Sequence, residues 1–258
     1  MERARLSENN LVVMVPTRGR RANCERLLKS FTETATCSDL VFVLDGDDQD
    51  TYAGMDWGVA TVAVLDPRDY LTGKLNKTAE AMADLYPVLM WTGDDNVFVT
   101  PGWDKIMLQA LEDDLGGHGW VYPDDKRRAD VPEHWMCSSD VVKTLGWFAP
   151  PWASHFYIDN AVGELGKRAG LIRWCPEAVI EHKHYSVAPD TERDHLYRET
   201  EDNFGDSDLN AFQEWRGSQL ANEVSVLRRA FNPDVAWVLS RLGGEGSREA
   251  GPVPVAAG

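Results

Sequence analysis

Residues 73–103 read GKLNKTAEAMADLYPVLMWTGDDNVFVTPGW, and they split into three pieces. In Gly73–Tyr86, Leu75, Ala79, Met82 and Leu85 recur at three- and four-residue spacing, which predicts an amphipathic helix. Val88–Trp91 is a short, unbroken apolar run, the pattern of a strand covered on both faces. Gly93-Asp94-Asp95-Asn96 stops it. Helix, buried strand and acidic turn in succession are one unit of an α/β sheet.

The same rhythm extends toward the N-terminus. Leu11–Val15 predicts a first strand, Pro16–Arg21 a loop containing Gly19, and the next segment a helix with Leu27, Leu28 and Phe31 on one face. Leu40–Leu44 predicts a second strand, stopped by Asp45-Gly46-Asp47-Asp48. Val59–Leu65 predicts a third, stopped by Asp66-Pro67. After the quoted stretch, Trp103–Leu115 reads as another helix. This alternation predicts an α/β fold: a Rossmann-like, mostly parallel sheet with helices on both faces. In such sheets ligands bind outside the carboxyl ends of the strands. Three of the four strands end in acidic loops, so carboxylates collect along that rim.

Gly119–His184 is less regular and rich in Trp, Pro and His. It predicts short strands around Val121 and Trp135, a helix from Asp159 to Ala169, and a strand near Leu171–Ile180. Pro189–Asp208 is polar and acidic and reads as a loop. A helix is expected over Leu209–Phe231, with Phe212, Leu220, Val224 and Leu227 as packing residues, then a short amphipathic piece at Asp234–Leu242. The Gly-, Ala- and Pro-rich stretch Gly243–Gly258 reads as a disordered tail. The expected organisation is a catalytic domain over 1–190, a helical C-terminal extension of it over 191–242, and the tail over 243–258.

Composition bounds the function. The 258 residues suit one α/β domain, and 43% hydrophobic with 26% charged residues is ordinary globular composition. A net charge of −16 argues against broad electrostatic attraction to nucleic acid or anionic membrane, without excluding a local basic groove. Cys24, Cys37, Cys137 and Cys175 have no zinc-ligand spacing and form no C-x-x-C, which fits free thiols in a reducing cytoplasm. Met1–Asn10 is polar, and the longest early apolar run is only strand length. A cytoplasmic protein with no membrane span is expected. The phosphate-binding G-x-x-x-x-G-K-[ST], the dinucleotide G-x-G-x-x-G and the hydrolase G-x-S-x-G motifs are absent from the sequence.

Two adjacent carboxylates and an amide after a buried strand suit Mg²⁺ or Mn²⁺, which bridge carboxylates to substrate phosphates. A solvated acidic turn has the same sequence, and the residues alone leave both readings open. His182 and His184 lie two apart at the end of the last strand and share a face if the strand continues. They are metal ligands or surface histidines. Asp159 sits at a predicted helix start, as a proton acceptor or as an N-cap. Arg18, Arg20, Arg21, Arg68, Lys74 and Lys77 fall near strand ends, where they could neutralise a diphosphate. Arg21 and Lys77 read better as solvated charges. Trp147–Tyr157 holds aromatics suited either to packing or to stacking on a sugar face.

In order and spacing, three segments resemble the GT-A glycosyltransferases, family 2-like, of the small bacterial or phage type. They are Val12-Val13-Met14-Val15-Pro16-Thr17-Arg18-Gly19-Arg20, Leu44-Asp45-Gly46, and the Gly73–Trp103 stretch with its acidic pair and Pro101-Gly102-Trp103 turn. The likeness covers residues 11–185. It implies a metal-dependent transferase moving a sugar from a nucleotide-diphosphate donor, a UDP-sugar by default, to an acceptor hydroxyl with inversion. By position it assigns Pro16, Thr17, Arg18, Arg20, Asp45 and Asp94 to the donor, and Lys74, the first choice among the basic residues, joins them. Asp95, His182 and His184 fall to Mn²⁺ or Mg²⁺, and Asp159 to the catalytic base. The chain has G-D-D-N where the family writes D-x-D, which leaves open which carboxylate touches the metal. A metal-dependent nucleotide-sugar hydrolase and a non-catalytic nucleotide-sugar-binding module are the alternatives. A modified DNA base, a protein and a glycan all stay open as acceptor, and so does the oligomeric state.

Overall fold

The computed structural model describes residues 9–184 and 195–232. The predicted Asp234–Leu242 piece, the Gly243–Gly258 tail and the boundary at residue 190 lie outside them. Strands β1 (Leu11–Pro16), β2 (Ser38–Asp45), β3 (Thr61–Leu65), β4 (Val88–Trp91), β5 (Asn96–Phe98), β6 (Trp120–Asp124), β7 (Trp135–Ser138) and β8 (Ile172–His182) form one sheet in the order β3-β2-β1-β4-β7-β6-β8-β5. Helices α1 (Arg21–Thr34), α2 (Leu71–Met82), α3 (Trp103–Leu115), α4 (Ser139–Leu145), α5 (Ile158–Ala169), α6 (His195–Ser218) and α7 (Leu220–Phe231) flank it, with a 3-10 turn at Gly46–Tyr52.

β1 is fully buried from Leu11 to Val15 because it is central and covered twice. Leu11, Val13 and Val15 join Leu27, Phe31, Trp103 and Met107 from α1 and α3. Val12 and Met14, pointing the other way, join Leu75, Val162, Leu165 and Leu227 from α2, α5 and α7. This two-sided core is why the strands read as unbroken apolar runs.

Strand direction places the site. β3, β2, β1 and β4 are parallel, and their order reverses between β1 and β4. A crevice opens outside the carboxyl ends at such a switch point. β7 is antiparallel to β4 and β6, so it begins at the rim where they end, and β8 runs parallel to β6 and ends there too. β5 lies antiparallel on β8, with Asn96 opposite His182.

Two expectations fail. Residues 195–208, expected as part of a loop, are the first half of α6. Their burial is against polar partners, with Thr200 and Asp208 buried, so no apolar stripe marks the helix. The single helix expected over Leu209–Phe231 is instead the end of α6 and a separate α7, with Gln219 between them.

Candidate active site

A cleft of about 280 Å³ opens at the β1/β4 switch point, and every residue assigned above to donor, metal or catalysis lines it. Pro16 ends β1 and Thr17 follows it, Asp45 ends β2, Asp94 and Asp95 follow β4, and His182 ends β8. Lys74 enters from α2 and Asp159 from the first turn of α5. Arg21 and Lys77 stay outside, paired with Glu25 and Asp69, as solvated charges would be.

At one end Asp45, fully buried, binds two cations through Oδ2: Lys74 Nζ at 2.8 Å and Arg18 Nη1 at 3.1 Å. Arg18 also pairs with Asp47 at 2.6 Å. Burial lowers the Lys74 pKa, against the opposing pull of Asp45. Asp45 Oδ1 is buried and has no hydrogen-bond partner among the described residues. That orphaned acceptor suits an incoming N–H or O–H.

The two members of the acidic pair do different work. Asp94 holds the loop after β1, its Oδ2 accepting from the Thr17 hydroxyl at 2.7 Å and its Oδ1 from Arg20 and Asn23, each at 3.3 Å. Burial raises its pKa, with Arg20 pulling the other way. Asp95 turns instead toward β8, its Oδ1 3.4 Å from His182 Nε2 and its Oδ2 accepting from the Tyr197 hydroxyl at 2.5 Å. Burial would raise the Asp95 pKa, but the hydrogen bond and charge of His182 outweigh it and hold the carboxylate ionised. Gly93 permits this turn, since a Cβ there would lie 2.6 Å from Asp95 Oδ1.

A carboxylate oxygen and an imidazole nitrogen 3.4 Å apart are a chemically suitable donor pair for Mn²⁺ or Mg²⁺. Neighbouring ligands at about 2.1 Å from an octahedral ion stand about 3 Å apart. The residues therefore fit the cation the sequence implied. Burial works to lower the His182 pKa, but Asp95 and Glu133 overcome it and raise it to about 9. His184 does not extend β8, which ends at His182, so the shared-face argument from strand alternation does not apply. Its ring nonetheless lies 5.3 Å from that of His182 and 5.2 Å from that of Tyr197. Burial, then Arg127 and His182, push its pKa down to about 4, which leaves a neutral imidazole.

Asp159 is not the N-cap. Tyr157 holds that position in a left-handed conformation, φ 64°, and the Asp159 carboxylate accepts from the Asn160 backbone N–H at 2.8 Å. Burial pushes Asp159 up to about 6. The segment before it is clamped from α6: the Asp208 carboxylate accepts the backbone N–H groups of Ser154, His155 and Phe156 at 2.8–3.2 Å. Phe156 and Tyr157 line the cleft, whereas Trp135 and Trp147 are core residues.

Sequence reasoning missed Glu133, Arg127 and Tyr197. Glu133 and Arg127 sit in an acid- and Arg-rich loop between β6 and β7 that carries no periodic signal, and Tyr197 in the segment read as a loop. The nearness of Glu133 to Trp135, which pairs with Trp91 one turn before the acidic pair, shows only once β7 is known to run antiparallel.

These features define an open α/β protein with a ligand cleft at its switch point, rimmed by carboxylates and histidines. No protein-family model matches the sequence, and no curated protein matches it. Solved structures do match. The mannosyltransferase PcManGT from Pyrobaculum calidifontis, in complex with GDP-Man and Mn²⁺, superposes with a TM-score of 0.53 at 13% identity, over 94% of this chain and 79% of its own. GalNAc-T7, with UDP, GalNAc and Mn²⁺, gives 0.55 at 12% identity, over 68% and 44%. S. aureus TarS gives 0.51 at 11% identity, over 66% and 36%. This chain thus spans less than half the length of TarS and GalNAc-T7. The fold is the GT-A fold of glycosyltransferases. No helix among the described residues is long and apolar enough to cross a membrane.

Proposed function

We propose that this protein is a metal-dependent glycosyltransferase that moves a sugar from a nucleotide-diphosphate donor to an acceptor hydroxyl with inversion. The observation that carries the reading is the convergence of Asp95 Oδ1 and His182 Nε2, 3.4 Å apart, inside a cleft that also holds Arg18, Lys74 and Asp159. UDP is the expected nucleotide by family resemblance. The GDP-Man, UDP and Mn²⁺ held by the similar structures support the ligand class and leave the base open.

Each residue has a task in this reading. Asp45 Oδ1 accepts an N–H or O–H of the nucleoside. Pro16, Thr17 and Arg20 form the loop that receives it, and Asp94 holds that loop through Thr17 and Arg20. Arg18 and Lys74 balance the diphosphate charge. Asp95 and His182, with His184 beside them, hold the cation, which when bound supplies Lewis-acid stabilisation of the leaving diphosphate. Asp159, raised to about 6, is ionised at neutral pH and still basic enough to take the acceptor's proton as the anomeric carbon is attacked from the opposite face. The catalytic unit is expected over 1–190, with the 191–242 segment as its helical extension, in a cytoplasmic setting.

A panel of nucleotide-sugars with Mn²⁺, scored by thermal shift, tests the donor claim, because ligand bound to the native state raises stability. Transfer assays then follow with protein, glycan and modified-base acceptors. Turnover that survives a chelator sinks the metal-dependent reading. Free sugar released at full rate without any acceptor identifies a hydrolase instead.

A further inference from the structure

His182 is one of two donors facing the cation position, and a histidine is useful there only if its ring is fixed. The imidazole has two nitrogens, and the partner of one decides what the other offers. Glu133 Oε2 lies 2.8 Å from His182 Nδ1, and a carboxylate can only accept, so Nδ1 carries the hydrogen. Nε2 faces Asp95 Oδ1 at 3.4 Å, and a cation bound there would take the place of the proton on that nitrogen. Glu133 is itself held, with Arg127 Nη1 donating to Oε1 at 2.8 Å and to Oε2 at 2.9 Å. Asp125 fixes the base of this loop, its Oδ1 accepting the backbone N–H groups of Arg127 and Arg128, each at 2.7 Å, and its carbonyl accepting from the His182 N–H.

We infer that Glu133, braced by Arg127, is a positioning residue that sets the tautomer and aim of His182 toward the cation. Carboxylates behind metal-bound histidines act this way in general, and their loss costs about 10- to 100-fold in metal affinity. A second cation site made of Asp125, Glu133 and His182 is the competing reading, since their ligand atoms lie within 4.8 Å of one another. The hydrogen bonds disfavour it: both Glu133 oxygens face the Arg127 guanidinium, which a cation would have to displace.

The inference rests on the glycosyltransferase reading only for the presence of a cation, and its test is binding, not turnover. Free Mn²⁺ is titrated by electron paramagnetic resonance against the full chain, Glu133→Gln, Glu133→Asp, His182→Ala and the double variant His182→Ala/Glu133→Gln. Pulsed spectra report coupling to the imidazole nitrogen. Glu133→Gln should weaken Mn²⁺ binding about 10- to 100-fold and diminish the nitrogen coupling. The double variant should bind no more weakly than His182→Ala, because Glu133 acts through that ring. Glu133→Asp keeps the charge beside Arg127 but withdraws the carboxylate by one methylene, and it should lose about tenfold; it carries the test if the Gln variant does not fold.

Unchanged affinity in these variants, or no Mn²⁺ binding by the wild type, overturns the inference. So does a further tenfold loss in the double variant, which would make Glu133 a ligand in its own right. The predicted losses without sugar transfer to any acceptor would uphold the inference and overturn the transferase reading. Sugar transfer with undiminished Mn²⁺ affinity in Glu133→Gln would do the reverse.

Discussion

The two ends of the cleft are each built on a buried aspartate, and they are prepared differently. Asp45 presents one oxygen to Arg18 and Lys74 and keeps the other without a partner among the described residues. Asp95 has both oxygens engaged, one by His182 and one by Tyr197. A ligand reaching Asp45 adds a hydrogen bond to a site already shaped for it. A cation reaching Asp95 must replace existing contacts. Under the proposed function, the nucleoside end is an addition site and the cation end an exchange site.

Four changes break or sharpen that contrast. Asp95→Ala should lower sugar transfer about 10³-fold, the scale for losing charge stabilisation at a leaving group. UDP affinity without Mn²⁺, measured by calorimetry, should move less than about threefold, and a matching collapse of UDP binding would mean the two ends are one site.

Asp159→Asn should cost about 10²-fold in kcat at pH 8, as expected for a lost general base. The wild-type rate should fall on the acid side with a midpoint near about 6, and the residual rate of the variant should be flat there. Stability should move the opposite way. The folded pKa lies above the unfolded one, so the ionised carboxylate disfavours folding above about pH 6, and the effect fades as both states become protonated. The variant's Tm should therefore exceed the wild type's at pH 8 and converge with it at pH 4. A lower Tm at pH 8 would contradict the burial assigned to Asp159.

Asp45→Asn should raise the donor KM about tenfold and leave kcat nearly unchanged, in line with loss of a charged hydrogen bond. An equal fall in kcat would move Asp45 from the nucleoside to the transition state. Tyr197→Phe removes one competitor for Asp95 and should tighten Mn²⁺ about tenfold, the low end for a hydrogen bond to a charged carboxylate. Weaker binding would show that Tyr197 supports the cation and that the exchange picture is wrong at that oxygen.

The addition end was legible in the sequence and the exchange end only half so. Thr17, Asp45 and Asp94 each follow a strand buried on both faces, and such strands announce themselves as apolar runs with abrupt polar stops. Asp95 and His182 were read at the cation end, but the groups that hold them come from elements with weaker signatures. β5 has three residues, too few for any alternation to register. Glu133 is placed by the antiparallel course of β7, which composition does not reveal. In α6, Tyr197, Thr200 and Asp208 turn polar groups inward onto Asp95, onto the helix's own carbonyls and onto the 154–156 backbone. The first half of this helix hides a polar face, so it has no amphipathic period to read.

The pairing of Asn96 with His182 has one more consequence. The residue before one and the side chain of the other are brought together by a backbone ladder, indifferent to what the side chains are. The gap between them is thus a socket of fixed width whose lining can be exchanged without redrawing the frame. If that gap holds the proposed cation, single substitutions there would alter the hardness of the donors, and with it the ion preferred. Inserting a single residue between Asp95 and Phe98 would undo the socket at once.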